Sequence, residues 1–262
     1  MSVVTRHAAG MPCWPELATS DSVAATKFYT QLFGWDHHDD PMGPDMVYTM
    51  LRKDGDNVGA LYRMDPRMMP PGTPPHWTIY FTVADVEAAA ARVRANGGVV
   101  MAEPMDVMEH GRMAACADPL GAMFCLWEPK QHIGVSRVQE PGAMSWVQLN
   151  AADPGDAAMF YQAVLGWTHR RNPMPQGGDY ILWMAGDQTA GGGMPMPAGV
   201  KAPAHWLLYW GSADVDADAA KVKALGGHWM VPPTDIPGMA RFAVCADPQG
   251  AMFTLVKFAP QP

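Results

Sequence analysis

The sequence predicts an α+β protein in which two copies of one domain follow each other along the chain, each copy holding two βαβββ units. The first observation is a repeat, since residues 76–128 and 205–257 share 27 identities in 53 positions. Residues 14–51 and 146–183 share 12 identities in 38 positions, at a slightly different offset. The second observation is an Asp-Pro-x-Gly stretch at 118–121 and 247–250, between short apolar runs, which is typical of a β-hairpin. A repeat on this scale indicates duplicated domains, so four units are predicted.

The first copy begins with a strand predicted over residues 12–19, which runs into Asp21. A helix follows at 22–33, with Asp21 as its N-cap and Gly34 at its end, because aspartate favours the first position and glycine the left-handed conformation after the last turn. Three short strands are predicted at 35–38, 47–52 and 58–62. The second unit repeats the order, with a strand at 76–83, a helix at 85–96, a strand at 99–102 and the closing hairpin.

Strand pairing within the hairpin decides which of its side chains share a face. A four-residue turn at 118–121 pairs the flanking residues as Cys116 with Met123, Ala114 with Cys125, and Arg112 with Trp127. Because side chains alternate between the two faces of a strand, Arg112 is then expected on the face that carries Cys125. Arg241 is expected in the same place in the second copy.

Composition bounds the class of function. A net charge of -8 without a basic patch argues against nucleic acid as a partner. Residues 1–11 do not resemble a signal peptide and no apolar run could span a bilayer, so a cytoplasmic protein without membrane contact is expected. The four cysteines are expected to be reduced and buried. The 22 methionines and 10 tryptophans favour surfaces for planar ligands, with a loosely specified core as the alternative.

The repeat also predicts the domain boundaries. The first domain is expected at residues 1–129 and the second at 143–262, joined by a Gly- and Pro-containing linker at 130–142. Pairing of units within a copy and exchange between copies both remain open at this stage. The loops at 39–45, 63–75, 172–179 and 195–204, rich in proline and methionine, are expected to cover the ligand cavities.

These motifs resemble the vicinal oxygen chelate superfamily, which includes glyoxalase I, extradiol dioxygenases and bleomycin-resistance proteins. The resemblance covers nearly the whole chain twice, and it is stronger still to tandem glyoxalase-like proteins of actinobacteria. It rests on the Asp-Pro-x-Gly hairpins, on the capped helix with its Phe-Tyr pair at 28–29, and on the segments 75–77, 132–134 and 203–206. The resemblance implies that paired units form two curved, partly open β-barrels, with the helices on the convex side and the ligand on the concave side.

The resemblance also points to three metal-ligand positions in each copy. Carried onto this chain, these positions are Trp14, Thr78 and Cys125 in the first copy, and Trp146, Leu207 and Thr254 in the second. None is His, Glu or Asp, the usual donors besides thiolate, and a single cysteine cannot hold an ion alone. No metal or other cofactor is therefore expected at these positions. A displaced site that uses Glu16 and His76 is the alternative, for which the second copy offers only Gln148 and His205.

Strand alternation then gives the candidate ligand-binding residues. They are Trp14, Glu16, His76, Thr78, Tyr80, Arg112, Cys125 and Trp127 in the first copy, and Trp146, Gln148, Asn150, His205, Leu207, Tyr209, Arg241 and Thr254 in the second. The alternative for the two histidines is a structural hydrogen bond at a strand start. The alternative for the two arginines is an ion pair with Asp106 or Asp235, or full solvation.

Two functions from different classes follow. The first is a binding protein whose Trp- and Met-lined cavities hold small, planar or carbonyl-rich molecules without the metal of the superfamily. The second is a lyase, dioxygenase or hydroxylase of the glyoxalase type, with a displaced metal or with metal-free acid-base chemistry by His76, Tyr80 and Arg112. A scaffold with vestigial cavities is a weaker third reading. The expected partner is a small molecule, and the protein is expected to be a monomer or a homodimer.

Overall fold

The structure is a computed structural model that describes residues 3–43, 46–65, 67, 72–174, 177–196, 199–200 and 202–260. Within these ranges the chain forms two mixed eight-stranded sheets and four α-helices. This confirms the predicted α+β class and the tandem arrangement of βαβββ units. None of the described helices is both long and apolar enough to cross a membrane.

The first half of the chain follows the predicted order of elements. These are β1 (Pro12–Thr19), α1 (Ser22–Phe33), β2 (Asp36–Pro41), β3 (Val47–Lys53), β4 (Asp56–Arg63), β5 (His76–Thr82), α2 (Val86–Ala95), β6 (Val99–Val107), β7 (Gly111–Ala117) and β8 (Met123–Pro129). The helix caps have the predicted chemistry. Asp21 Oδ1 accepts a hydrogen bond from the Ala24 amide at 3.0 Å, and Gly34 ends α1 with φ of 72°.

The second half repeats the first. Its elements are β9 (Met144–Ala151), a short 3-10 turn (Pro154–Ala157), α3 (Ala158–Leu165), β10 (Thr168–Pro173), β11 (Asp179–Ala185), β12 (Gln188–Pro195), β13 (His205–Gly211), α4 (Val215–Ala224), β14 (His228–Ile236), β15 (Ala240–Ala246) and β16 (Met252–Phe258). The glycine run at 191–193 lies inside β12, and a Cβ at Gly192 would fall 1.9 Å from the Tyr180 hydroxyl. Glycine is therefore required where this tyrosine crosses the strand.

The strand order shows how the four units pair. The first sheet runs β2-β3-β4-β1-β5-β8-β7-β6, and the second runs β10-β11-β12-β9-β13-β16-β15-β14. In the middle of the first sheet β1 is antiparallel to β5, so the two units of one half meet there; β9 and β13 do the same in the second. The units thus pair within each half and are not exchanged. Neither sheet is closed into a barrel, because β2, β6, β10 and β14 remain as edges.

The closing hairpin differs from its predicted register by one residue. The Asp118 amide donates to the Ala122 carbonyl at 3.0 Å, so the turn has three residues and Gly121 adopts φ of 91°. The strands consequently pair Ala115 with Cys125 and Met113 with Trp127. The predicted pairing is wrong, and a shift of one residue moves alternate side chains to the opposite face. Arg112 and Arg241 therefore do not share a face with Cys125 and Thr254.

The two halves pack against each other through the helix-bearing convex faces of their sheets. From α1, the Tyr29 hydroxyl donates to Asp247 Oδ2 in the second half at 3.1 Å. From α3, the Tyr161 hydroxyl donates to Asp118 Oδ2 in the first half at 2.9 Å. The two aspartates belong to the repeated hairpin turns, so the turn of each half binds a helix of the other. The opposite, concave faces remain for the candidate sites.

Candidate functional site

The concave face of the first half is centred on Glu16 of β1. Its carboxylate accepts two hydrogen bonds, one from the Tyr48 hydroxyl at 2.6 Å and one from the Tyr80 hydroxyl at 3.0 Å. Trp14 Nε1 donates in turn to the Tyr48 hydroxyl at 3.3 Å. Three different strands, β1, β3 and β5, thus contribute side chains to one hydrogen-bonded group.

The electrostatics of this group follow from burial. Loss of solvent raises the pKa of the Glu16 carboxyl, and the two tyrosine hydroxyls partly oppose this rise by stabilising the charged form. Burial, followed by the neighbouring Glu16 charge, raises the pKa of Tyr48 well above its usual range. Burial also raises the pKa of Tyr80. Both phenols therefore keep their protons and act as donors toward the carboxylate.

The aromatic walls predicted for this cavity are largely packed. Trp14, Tyr80 and Trp127 are only 5 to 6% exposed. The ring of His132, from the segment between the halves, lies edge-on to Trp14 with 4.6 Å between centroids, and the His132 carbonyl accepts from Trp127 Nε1 at 2.9 Å. The accessible part of the face is therefore smaller than expected. Its partly exposed side chains are Glu16, Tyr48, Tyr62, His76, Thr78 and Met113.

His132 is a mostly buried histidine with one unpaired ring nitrogen. Its Nδ1 accepts from the Gly134 amide at 3.1 Å, so the neutral ring carries its proton on Nε2. This Nε2 is buried and has no hydrogen-bond partner among the described residues. Burial, with a contribution from nearby His110, lowers the pKa of His132 to about 4. The ring consequently serves as an apolar cover for the tryptophans.

His76 lies at the start of β5, opposite Ala18 of β1. Its Nδ1 is 2.8 Å from the Pro74 carbonyl oxygen. His205 makes the same contact with the Pro203 carbonyl at 2.9 Å. The structural alternative for these histidines thus has a geometric basis, but it uses only one nitrogen of each ring. In His76 the other nitrogen, Nε2, has no hydrogen-bond partner among the described residues, whereas in His205 it contacts Asn150.

The second half repeats the layout with neutral groups. Gln148 replaces Glu16, and its Oε1 accepts from the Tyr180 hydroxyl at 3.2 Å. Gln148 Nε2 donates to Asn150 Oδ1 at 2.8 Å, and Asn150 Nδ2 lies 3.3 Å from His205 Nε2. Tyr209 is also partly exposed on this face, and burial raises its pKa. The two faces therefore share a geometry but differ in charge.

The metal-ligand positions implied by the superfamily do not fit a metal ion in either half. Trp14 and Trp146 use their indole nitrogens as donors to tyrosines, and Leu207 offers no donor atom. Burial raises the pKa of the Cys125 thiol, which opposes the thiolate that a metal requires. The Thr254 hydroxyl is buried without a partner among the described residues. Nor do three or more His, Cys, Asp or Glu residues cluster at metal-binding distance in the described ranges.

The two candidate arginines lie on the helix side. Arg112 contacts Glu87 of α2 at 2.6 Å and Asp106 at 3.6 Å. Arg241 makes the equivalent pairs with Asp216 at 2.7 Å and Asp235 at 2.9 Å. Both arginines thus form the ion pairs that were the alternative to ligand binding. They do so because the corrected hairpin register places them on the helix side of the sheet. Neither arginine is placed to orient a ligand on the concave face.

Several residues of the face were missed from the sequence. Tyr48, Tyr180 and Tyr62 belong to β3, β11 and β4, which were predicted as strands but not assigned a face. The signal was present, because Tyr48 and Tyr180 occupy the same position in the two copies. Met113 was missed because the hairpin register was one residue out, and its sulfur lies 4.0 Å from the Tyr80 hydroxyl.

The predicted lid loops are only partly described. Residues 44–45, 66, 68–71, 175–176, 197–198 and 201 lie outside the described residues. A cleft of about 420 Å³ lies elsewhere, between the β3–β4 turn and the segment that joins the halves. It is lined by Arg52, Gly55, Asp56, Asn57, Gln131, His132, Ile133, Gly134 and Ser136. None of the accessible residues around Glu16 lines this cleft, so it is a separate feature.

Sequence comparison identifies the family of the chain. The Glyoxalase/Bleomycin resistance protein/Dioxygenase superfamily matches residues 7–126, and the Glyoxalase-like domain matches residues 146–256. CFP32 of Mycobacterium bovis, provisionally named a glyoxylase, is 44% identical over 96% of both chains. The chain belongs to the glyoxalase superfamily. The anthracycline biosynthesis protein DnrV of Streptomyces peucetius is 35% identical, over 97% of this chain and 95% of its own.

Solved structures share the fold of this glyoxalase-superfamily chain. The Mn(II)-bound glyoxalase from Novosphingobium aromaticivorans superposes with a TM-score of 0.67 at 17% identity, covering 96% of this chain and 84% of its own. The 2,3-dioxygenase LapB from Pseudomonas sp. KL28 gives 0.66 at 17% identity, covering 100% and 96%. At this identity the likeness establishes the fold alone, and the chemistry has to come from the residues of the site.

Proposed function

We propose that the protein binds a small, planar or carbonyl-rich molecule on the concave face of its first half, beside Glu16 and without a metal at the superfamily positions. The observation that carries this proposal is the carboxylate of Glu16, a partly exposed residue, which Tyr48 and Tyr80 hold beside the positions where relatives are expected to hold an ion. A few fixed polar groups on an aromatic surface are typical of small-molecule sites. Neither nucleic acid nor a membrane is a proposed partner.

Two of the relatives support this class of ligand. DnrV is named for anthracycline biosynthesis, and anthracyclines are planar and rich in carbonyl groups. CFP32 is named for glyoxylase activity, which concerns small carbonyl compounds. The partly exposed aromatic side chains on the face, Tyr48 and Tyr62, suit a flat ligand because aromatic rings stack in offset or edge-on geometry.

Tryptophan fluorescence tests the proposal directly. We expect 1,8-dihydroxyanthraquinone to quench the protein emission saturably at one equivalent, since Trp14 lies beside the site. Tyr62→Leu should weaken this binding at least fivefold. The matched control is Met101→Leu on edge strand β6, which changes an exposed apolar side chain five strands away from Tyr62 in the sheet order. Equal affinity in Tyr62→Leu, Met101→Leu and the wild-type protein would place the binding elsewhere. The absence of saturable quenching in the wild-type protein would contradict the proposal.

A second candidate function is metal-free acid-base catalysis of the glyoxalase type. The observation that favours it is the buried carboxyl of Glu16, whose raised pKa and two hydroxyl partners suit a group that takes up and returns a proton. Turnover of methylglyoxal and glutathione by chelator-treated protein, abolished in Glu16→Gln, would support it. Activity that disappears with the chelator would instead indicate a displaced metal.

A further inference from the structure

The second half contains a complete chain of hydrogen bonds across its concave face. Trp146 Nε1 donates to the Tyr180 hydroxyl at 3.1 Å, and this hydroxyl donates to Gln148. Gln148 then donates to Asn150, which donates to His205 Nε2. His205 Nδ1 ends the chain at the Pro203 carbonyl. Each donor in the series has an acceptor, so these five side chains satisfy one another without a ligand.

The first half has the same ends but lacks the middle of this chain. Trp14 and Tyr48 lead to Glu16 as their counterparts lead to Gln148. At the other end His76 contacts the Pro74 carbonyl, as its counterpart contacts Pro203. The strand register sets Ala18 opposite His76, where Asn150 stands opposite His205. Ala18 has no side-chain amide, so no hydrogen bond in the described chain connects Glu16 to His76.

The first half therefore has a break in the hydrogen-bonded series between Glu16 and His76, and both of these side chains face it with acceptors. The Pro74 carbonyl can only accept, so the neutral His76 ring carries its proton on Nδ1 and presents a lone pair at Nε2. Glu16 already accepts from two hydroxyls and, as a carboxylate, has further lone pairs. Whatever bridges them must therefore supply two N–H or O–H donors, where Asn150 supplies one acceptor and one donor.

The space beside the break has also changed between the halves. Tyr62 stands opposite Ala18 across the parallel strand pair, where Met194 stands opposite Asn150. The Tyr62 ring lies nearly parallel to that of Tyr48, with 6.5 Å between centroids. No hydrogen bond of the Tyr62 hydroxyl is found in the described part of the chain. The larger side chain thus adds a flat surface beside the unfilled acceptors without satisfying them.

We propose that the break between Glu16 and His76 is a subsite for the edge of a planar ligand that carries a pair of N–H or O–H donors, with a cationic amidinium-like pair as the best match. The subsite rests on the proposed function, because it assigns the edge of the ligand within the same face. One donor binds Glu16 and the other binds His76 Nε2. The carboxylate makes the bond to a charged donor roughly twice as strong as a neutral one.

Benzamidine is the direct probe of this subsite, because it joins a flat ring to two adjacent N–H donors. Calorimetric titration of the whole chain at pH 7.5, with EDTA present, should show one equivalent bound. Benzoate, which has the same ring but only acceptors, should bind at least tenfold more weakly. Glu16→Gln should weaken benzamidine at least tenfold. The matched control Glu103→Gln removes the same charge from exposed strand β6 and should leave the affinity unchanged.

A second variant tests the subsite without removing the carboxylate. Ala18→Asn with Tyr62→Met installs the pair found in the second half, so the new amide should satisfy His76 and reduce benzamidine binding at least tenfold. Thermal unfolding checks that each variant is folded. Equal benzamidine affinity in Glu16→Gln and the wild-type protein, or binding only without EDTA, would overturn the subsite. If dihydroxyanthraquinone still quenched at the face in that case, the proposed function would stand while the subsite fell.

Discussion

At the scale of the residue, the exchange of Glu16 for Gln148 is the main chemical difference between two otherwise similar faces. Sequence alternation predicted both residues on the concave face, and their hydrogen bonds agree with that placement. Tyr80 is predicted on the same face, whereas the partners Tyr48 and Tyr180 were not assigned to a face, because β3 and β11 reach β1 and β9 only through the sheet order. A carboxylate and an amide of equal size thus give one acidic and one neutral site.

The raised pKa of Glu16 predicts a pH-dependent stability. The folded protein holds the Glu16 proton more tightly than the unfolded chain, so this group contributes stability below the ordinary value of 4.5 that is lost as the pH rises through the raised folded value. Glu16→Gln cannot ionise. We therefore expect its free energy of unfolding, relative to wild type, to increase between pH 4.5 and 7.5. Urea unfolding measures this difference, and parallel pH profiles would contradict it.

The lowered pKa of His132 predicts a pH dependence of stability with the opposite sign. Its pKa is lowered to about 4, so the folded protein binds this proton less readily than the unfolded chain, and stability is lost as the pH falls from about 6.5 through 4. His132→Phe keeps the ring contacts with Trp14 and Trp127 but removes the titration. We expect the acid loss of stability to shrink by on the order of 2 kcal/mol, after allowance for partial exposure. An unchanged slope in acid unfolding curves would show that the ring is already solvated.

At the scale of the element, the hairpin shows where prediction from sequence succeeds and where it stops. The Asp-Pro-x-Gly stretch identified the turn and both strands, and the helices follow their predicted caps. Proline and glycine fix that a turn occurs, but three- and four-residue loops are both compatible with them. The register was therefore undetermined, and one residue decided whether Arg112 or Met113 faced the site.

The corrected register predicts a mild and local role for Arg112. Its guanidinium pairs with Glu87 and Asp106, whose side chains are 60% and 62% exposed. Exposed ion pairs contribute little because water screens them, so Arg112→Ala should lower the thermal midpoint only slightly. Anthraquinone quenching should be unchanged in this variant. A large loss of ligand affinity with normal stability would mean that Arg112 reaches the concave face after all.

At the scale of the whole molecule, the repeat predicted two similar halves but not how they associate. The association could not be predicted because the residues that join the halves also have a role within their own half, and that role alone explains their presence in the sequence. Asp118 caps its own turn through Oδ1 and accepts from Tyr161 of the other half through Oδ2. A second reciprocal pair of contacts joins the halves. Arg92 of the first half donates to the Val164 carbonyl, and Lys221 of the second half donates to the Leu32 carbonyl. The boundaries at 129 and 143 stay a prediction, and these contacts predict that the two halves they separate are coupled.

This arrangement predicts that the two halves unfold together. Tyr161→Phe leaves Asp118 Oδ2 and Trp206 Nε1 buried without their shared partner, and Tyr29→Phe does the same to Asp247 and Trp77. Each should cost about 1 to 3 kcal/mol, the usual penalty of an unsatisfied buried group. Tyr62→Phe is the control, because its hydroxyl lies on the concave face away from the contact, and it should cost less than about 0.5 kcal/mol.

Calorimetry distinguishes a shared core from two separate ones. We expect a single transition in the wild-type protein and in both tyrosine variants, with each variant shifted to lower temperature as a whole. The reason is that each hydroxyl joins a helix of one half to a hairpin turn of the other, so its loss weakens both at once. If Tyr161→Phe instead split the transition into two, with one peak left at the wild-type temperature, each half would have to be stable without the other. The buried network would then orient the halves without coupling their unfolding.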